Sequence, residues 1–260
     1  MNYETLVYTK KDDVVTVALN RPDVHNAMND VLMNELTQCF KLLSTDDSVA
    51  AVILTGNGKS FCAGADLSWM KRMVNYSKEE NKKDSHLLLD MYETIYSCPK
   101  PVIGRINGHA FGGGIGLLAI CDITVTVPEA QFAFSEVKLG VIPAVISTFV
   151  ALRLTPANMR RLFITGERFD SVIANKIGLI DLIAAPEKLD DIVNSCVEQV
   201  HSSGSYAIKE VKLLIKNFVE MDIKKFKEFT LEKISEIRVS KEGQEGINAF
   251  LEKRKPNWKR

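Results

Sequence analysis

Four glycines fall within five residues, at Gly112, Gly113, Gly114 and Gly116, between the strand-like run Val102–Ile106 and the apolar stretch Leu117–Cys121. No other part of the chain restricts the fold so strongly. Glycine lets a neighbouring backbone or a ligand approach the main chain closely. A helix opening there presents N–H groups with no partner of their own and a positive local potential. Nucleotide-binding fingerprints do not account for the cluster. G-x-G-x-x-G fails because Leu117 stands three residues after Gly114, and no G-K-[ST] closes a phosphate loop. Tight packing of a helix on a strand is the alternative reading.

Strand-like and helical runs alternate on either side. Val14–Leu19 reads as a strand ending before Pro22, and Ala51–Thr55 as a strand buried on both faces. Between them, Asn26 is expected to cap a helix whose apolar positions are Leu32, Leu36, Cys39/Phe40 and Leu43. Residues 68–95 read as polar and helical, and further strands are expected near 123–127 and 132–134. Thr155-Pro156 opens a helix to about Ile164, and Asp170 caps another ending at Gly178. Alternation of this kind predicts an α/β fold. From about Asp190 the chain reads as almost wholly helical. A division into a core over 1–188 and a helical region over 189–260 follows, with Ile208, Val211, Ile215 and Phe218 along one stripe.

Composition narrows the function classes. The 260 residues are 46% apolar and 25% charged, which excludes a disordered or collagen-like chain. Lys plus Arg and Asp plus Glu are both 33, so no bulk field favours nucleic acid or an anionic membrane, and neither is expected as a partner. The five cysteines (Cys39, Cys62, Cys98, Cys121, Cys196) lack zinc-ligand spacing, so no metal is expected. Cys62 and Cys121, among small or apolar neighbours, read as buried thiols of a reducing compartment. The N-terminal residues carry no signal-peptide or transit-peptide pattern, and no apolar stretch reaches bilayer length, so a cytoplasmic protein is expected.

Two further segments carry candidate chemistry. Phe61–Leu67 follows the Ala51–Thr55 strand with small residues at 62–65, which would expose main-chain amides at a second strand-to-helix junction. Asp66 there suits a cap or a loop brace as well as it suits catalysis. Two such junctions face to face would form an oxyanion hole. Phe134–Gly140 places Glu136 among apolar residues, where desolvation would raise its pKa into a useful acid–base range. Ser135 has no G-x-S-x-G elbow, and His25, His86, His109 and His201 are unpaired by spacing, so structural or surface roles are expected for them.

Taken in order, five segments resemble the crotonase superfamily, the enoyl-CoA hydratase/isomerase family. They are ALNRPDVHNAMN (18–29), GKSFCAGADL (58–67), PKPVIGRINGHAFGGGIGLLAICD (99–122), FAFSEVKLGVIPA (132–144) and FLEKRKPNW (250–258). The resemblance implies a spiral of ββα turns followed by a C-terminal helical trimerisation region, in a homotrimer or homohexamer. It implies an acyl-CoA thioester substrate, with coenzyme A part of the substrate and no separate cofactor. The oxyanion hole carries over to the amides of Ala65 and Gly113, and the acid/base to Glu136. The CoA contact segment carries over to Ala63, Asp66, Leu67 and Ser68, with Lys59 and Arg21 as candidates for the phosphates.

One departure stands out. Typical hydratases of the family carry a second glutamate where this chain has Gly116. GGG-x-G-L together with FSEVKLG and IPAVIS resembles a branch acting on branched, carboxylated enoyl thioesters, similar to methylglutaconyl-CoA and carboxygeranoyl-CoA hydratases. Absence of a side chain at 116 would remove a charge and make room for a bulky or anionic acyl group. Hydration of an enoyl-CoA is the leading expectation. A double-bond isomerase using Glu136 alone and a non-catalytic acyl-CoA binder are the alternatives.

Overall fold

Parallel pairing between strands that are not neighbours in sequence sets the architecture. The structure, a computed structural model, describes residues 2–258. β1 (Leu6–Lys11) and β2 (Val14–Leu19) form an antiparallel hairpin, and β2 then pairs in parallel with β3 (Ala51–Gly56). β5 (Val102–Ile106), β7 (Ile123–Thr126) and β10 (Leu182–Ile183) extend the sheet in parallel, in the order β1-β2-β3-β5-β7-β10. Every residue of β3 is buried, as its unbroken apolar run requires.

After β3, β5 and β7 a turn of a few residues carries the chain into a second sheet. β4 (Ser60–Cys62), β6 (His109–Phe111) and β8 (Gln131–Ala133) lie parallel there, with β9 (Phe169–Asp170) antiparallel at the edge. Helices follow β4 and β6, and a 3-10 turn follows β8. The chain thus winds as a spiral of ββα units, each laying one strand in each sheet. Because β4, β6 and β8 are parallel, the segments leaving them emerge at one edge, the edge where open α/β sheets bind ligands.

Helix α1 (Asp30–Thr45) buries Leu32, Leu36, Cys39, Phe40 and Leu43, the predicted stripe, and Met33 beside it. Its cap is Asn29, whose side chain accepts from Leu32 N at 2.9 Å, and not Asn26. Asn26 is fully buried with a left-handed φ of 56°. Its side chain accepts from Arg21 N and donates to the Asn57 and Ser60 carbonyls, each at 2.9 Å. These bonds tie the loop after β2 to the turn before β4.

The polar stretch 68–95 is two helices, α2 (Leu67–Met73) and α3 (Lys78–Tyr96), and not one. Ser77 and Glu80 form a reciprocal capping box that starts α3 afresh. Helix α3 packs on α1 and on α5 (Ala144–Val150), burying Met91, Tyr92 and Ile95. α4 (Gly113–Ala119) follows β6, and α6 (Pro156–Thr165) and α7 (Ser171–Lys176) begin at Thr155 and Asp170 as the sequence predicts.

The C-terminal part consists of α8 (Leu189–His201), α9 (Ser205–Glu220), α10 (Ile223–Val239) and α11 (Lys241–Leu251). α8 lies over β5 and β7, while α9 to α11 pack on one another. No helix among the described residues is long and apolar enough to cross a membrane.

Candidate active site

Two strand-to-helix junctions lie side by side because β4 and β6 are paired. At the first, Met28 N donates to the Gly64 carbonyl at 2.7 Å and Asp66 N donates to the Met28 carbonyl at 2.8 Å. This short parallel bridge leaves the Ala65 N–H pointing away from Met28. At the second, Gly113 is the first residue of α4, so its N–H has no carbonyl four residues back. Among the described residues neither amide donates a hydrogen bond.

The junctions almost touch. Gly64 has φ +93°, and a β-carbon there would lie 2.7 Å from the Phe111 carbonyl oxygen and 3.7 Å from Gly113 N. A β-carbon at Gly114 would collide with the Cys62 carbonyl at 2.2 Å. Glycine is what allows the two junctions that carry the Ala65 and Gly113 amides to approach this closely. Tight packing of a helix on a strand, the alternative reading of the cluster, is what these contacts show.

Glu136 arrives from the third parallel strand. Phe134, just after β8, is buried against Phe163 with ring centroids 4.6 Å apart, and anchors the 3-10 turn Ser135–Leu139. The turn lays the Glu136 carboxyl on the α4 start, where a β-carbon on Gly112 would be 3.2 Å from Oε1. Glu136 Oε2 is buried with no hydrogen-bond partner among the described residues. Burial pushes the carboxyl above the ordinary range, and a hydrogen bond from its own backbone opposes this only in part.

Asp66 and Arg21 form a brace behind the first junction. The Asp66 carboxylate caps α2 by accepting from Ser68 N at 2.7 Å and Trp69 N at 3.2 Å, and it pairs with Arg21 at 2.8 Å. Burial alone would raise its pKa, but the Arg21 hydrogen bond and the two amides outweigh this and hold it below the ordinary range. Arg21 also donates to the Ala27 carbonyl. Its guanidinium is thus committed to the fold, which corrects the expectation that it meets CoA phosphates. Lys59 remains exposed, and Leu67 and Ser68 are exposed beside the Ala65 junction, while Ala63 N is held by the His25 carbonyl at 2.9 Å.

The space at position 116 is not vacant. A β-carbon on Gly116 would lie 2.7 Å from Tyr92 Cζ, from the Tyr92 hydroxyl and from Ile146 Cγ2. The expectation that Gly116 makes room for an acyl group is therefore corrected: Tyr92 from α3 and Ile146 from α5 occupy that volume. Sequence reasoning did not single out Tyr92. Its signal is the helical spacing Leu88, Met91, Tyr92, Ile95, which turns it inward.

Other reactive groups are accounted for. All five cysteines are free and buried, and burial pushes the Cys62 and Cys121 thiols up to about 12, too high for nucleophiles. His25 bonds Ser60, His109 accepts from Gln131 N, and His201 pairs with Asp13, while His86 is exposed.

Residues 9–260 match the enoyl-CoA hydratase/isomerase family. The chain is 32% identical to the short-chain-enoyl-CoA hydratase of Clostridium acetobutylicum, over 98% of this chain and 97% of that one. It is 31% identical to the crotonyl-CoA hydratase of Syntrophomonas wolfei over 99% of both. The crystal structure of an enoyl-CoA hydratase from Shewanella pealeana superposes with a TM-score of 0.93 at 36% identity, covering 98% of this chain and 96% of that chain.

Proposed function

The chain belongs to the enoyl-CoA hydratase/isomerase family, and from that premise we propose that it is a lyase adding water across the 2,3 double bond of an enoyl-CoA thioester. The observation that carries this reading is a buried carboxyl with an unpartnered oxygen beside two closely approaching junctions whose amides have no partner among the described residues. The Ala65 and Gly113 N–H groups donate to the thioester oxygen and hold the negative charge that forms there. Glu136, ionised, takes a proton from water as the water oxygen bonds to C3. The electron pair moves through C2 to the carbonyl oxygen, giving an enolate. The Glu136 carboxylic acid then returns the proton to C2, which restores the carboxylate and completes the addition. A raised pKa suits a group that serves as base and then as acid.

Crowding at Gly116 favours one second reading. With a single carboxyl in reach, proton transfer between C2 and C4 is also available, and the enzyme would then be a double-bond isomerase. One assay separates the two. Absorbance of the conjugated enoyl thioester falls on hydration of a 2-enoyl substrate and rises when a 3-enoyl substrate is isomerised. Unchanged absorbance with saturable binding would make the protein a thioester binder and overturn the enzymatic reading.

For the acyl group, we read a branched or carboxylated chain of the methylglutaconyl type. Its support is the motif resemblance and the absence of a second negative charge, and not free volume at Gly116, which Tyr92 and Ile146 fill. Faster turnover of crotonyl-CoA than of every branched acid thioester would sink this finer reading. A homotrimer or homohexamer is the assembly that goes with it, supported by Leu231, Val239 and Phe250 standing exposed on the C-terminal helices.

A further inference from the structure

Three consecutive glycines are a poor way to hold an amide still, because none has a side chain to pin its backbone. An external brace is needed, and Tyr92 supplies one. Its side chain is completely buried, and its hydroxyl donates to the Gly113 carbonyl at 2.7 Å. That carbonyl has a second lone pair for its helical partner, so the bond is added without breaking α4. The same hydroxyl would lie 3.1 Å from a β-carbon at Gly113 and 2.7 Å from one at Gly116. Phe149 backs the ring, with centroids 5.5 Å apart.

We propose that Tyr92 is a positioning residue of this site: its hydroxyl fixes the peptide following Gly113, and its ring fills the volume beside Gly116 so that Glu136 works as the sole carboxyl. The claim rests on reading the site as an acyl-thioester site. Holding the 113–114 peptide restrains ψ of Gly113 and the direction of the α4 start, and so limits the freedom of the adjoining 112–113 peptide that carries the Gly113 N–H. Burial raises the phenol well above its ordinary pKa, so the hydroxyl remains a donor throughout the neutral range.

The test of the hydroxyl is Tyr92→Phe, which keeps the ring. The probe is the infrared carbonyl stretch of bound butyryl-CoA, a thioester without a double bond to react. In the wild type the stretch is expected below that of free butyryl-CoA, because the two amides polarise the carbonyl. In Tyr92→Phe it is expected to move back toward the free value with butyryl-CoA affinity retained. kcat for an enoyl-CoA is expected to fall about tenfold, short of the roughly 10²–10³-fold effect of deleting a direct oxyanion donor. An unmoved stretch overturns the positioning role whatever kcat does, since loss of folded protein would leave the spectrum of bound ligand unchanged.

The filling role is read separately by thermal unfolding. Gly116→Ala should lower Tm in the wild-type background and lose part of that effect beside Tyr92→Leu, the remainder coming from Ile146 Cγ2 at 2.7 Å. Additive effects would overturn the claim that Tyr92 occupies the position-116 volume. If the wild type neither binds butyryl-CoA nor turns over an enoyl-CoA, the thioester reading fails and the positioning role fails with it. The Gly116–Tyr92 coupling would still distinguish that outcome from an error in the packing.

Discussion

Asp66 offers the most direct check that the Ala65 junction is braced as described. Its carboxylate does two jobs, capping α2 through Ser68 N and Trp69 N and neutralising Arg21. Asp66→Asn keeps a good cap and removes the charge, whereas Asp66→Ala removes both. Losing a cap costs about 1 kcal/mol. Stranding a buried charge costs about 3–5 kcal/mol, but Arg21 is 19% exposed and keeps its bond to Ala27, so about 2 kcal/mol is the better figure here. Urea unfolding at fixed protein concentration should therefore place Asp66→Asn about 2 and Asp66→Ala about 3 kcal/mol below wild type. The pH dependence has a definite sign. Asp66 is depressed in the folded state, so its contribution is complete above the unfolded value near 3.9 and disappears as pH falls through the folded value. The gap between wild type and Asp66→Asn should stay constant from neutral pH down to about pH 5 and close below it. An Asp66→Ala protein within about 0.5 kcal/mol of wild type at neutral pH would refute the brace.

Glu136→Gln should abolish turnover, leave butyryl-CoA binding in place and raise Tm at neutral pH. The sign follows because a carboxyl raised on folding stabilises the fold below its unfolded pKa and loses that contribution as pH rises through its folded pKa, a penalty glutamine does not incur. The Tm difference should shrink toward pH 4, and equal Tm values at every pH would contradict the burial of Glu136. Gly116→Glu should not create a two-carboxylate site. Overpacking against Tyr92 and Ile146 costs about 1–3 kcal/mol before the buried charge is counted, so a drop in soluble yield and Tm is expected. A stable variant that gains hydratase activity would show that α3 yields easily.

What is legible in the sequence follows a physical line between local and distant partners. β3 is readable because burial on both faces demands an apolar run. Thr155, Asp170 and Gly178 are readable because a cap's partners lie within a few residues. Asn26 misleads for the opposite reason: its type suits a cap, yet its partners Asn57 and Ser60 lie over thirty residues away. The break at Ser77 is local and is signalled by Glu80 three residues on, but the polar stretch 68–95 hides it. At the site, Gly113 is visible as composition, while Glu136 is a candidate from its apolar neighbours and is singled out further by motif order. Position 116 shows the limit. A glycine in sequence looks like empty space, and only the approach of α3 shows that the space belongs to Tyr92.

The short helices at the site also decide which electrostatic effect matters. α2 and α4 are seven residues each, about two turns, and helix-dipole effects are confined to the first turn and screened at the surface. A general positive field from two such helices is a weak way to stabilise an enolate. Two individual amides at hydrogen-bond distance are a strong one, because their effect depends on aim and on the absence of competing water. Aim is what the surrounding contacts secure: the Met28 bridge and the Arg21–Asp66 brace at Ala65, the Cys62 carbonyl against Gly114, and Tyr92 on Gly113. Glu136 is treated differently, since its Oε2 receives no donor at all. A carboxylate satisfied by several donors would be a poor base. With Oε2 unpartnered and the carboxyl partly dehydrated, Glu136 is suited to the role proposed for it, taking a proton and returning it to carbon while the amides hold the charge in between.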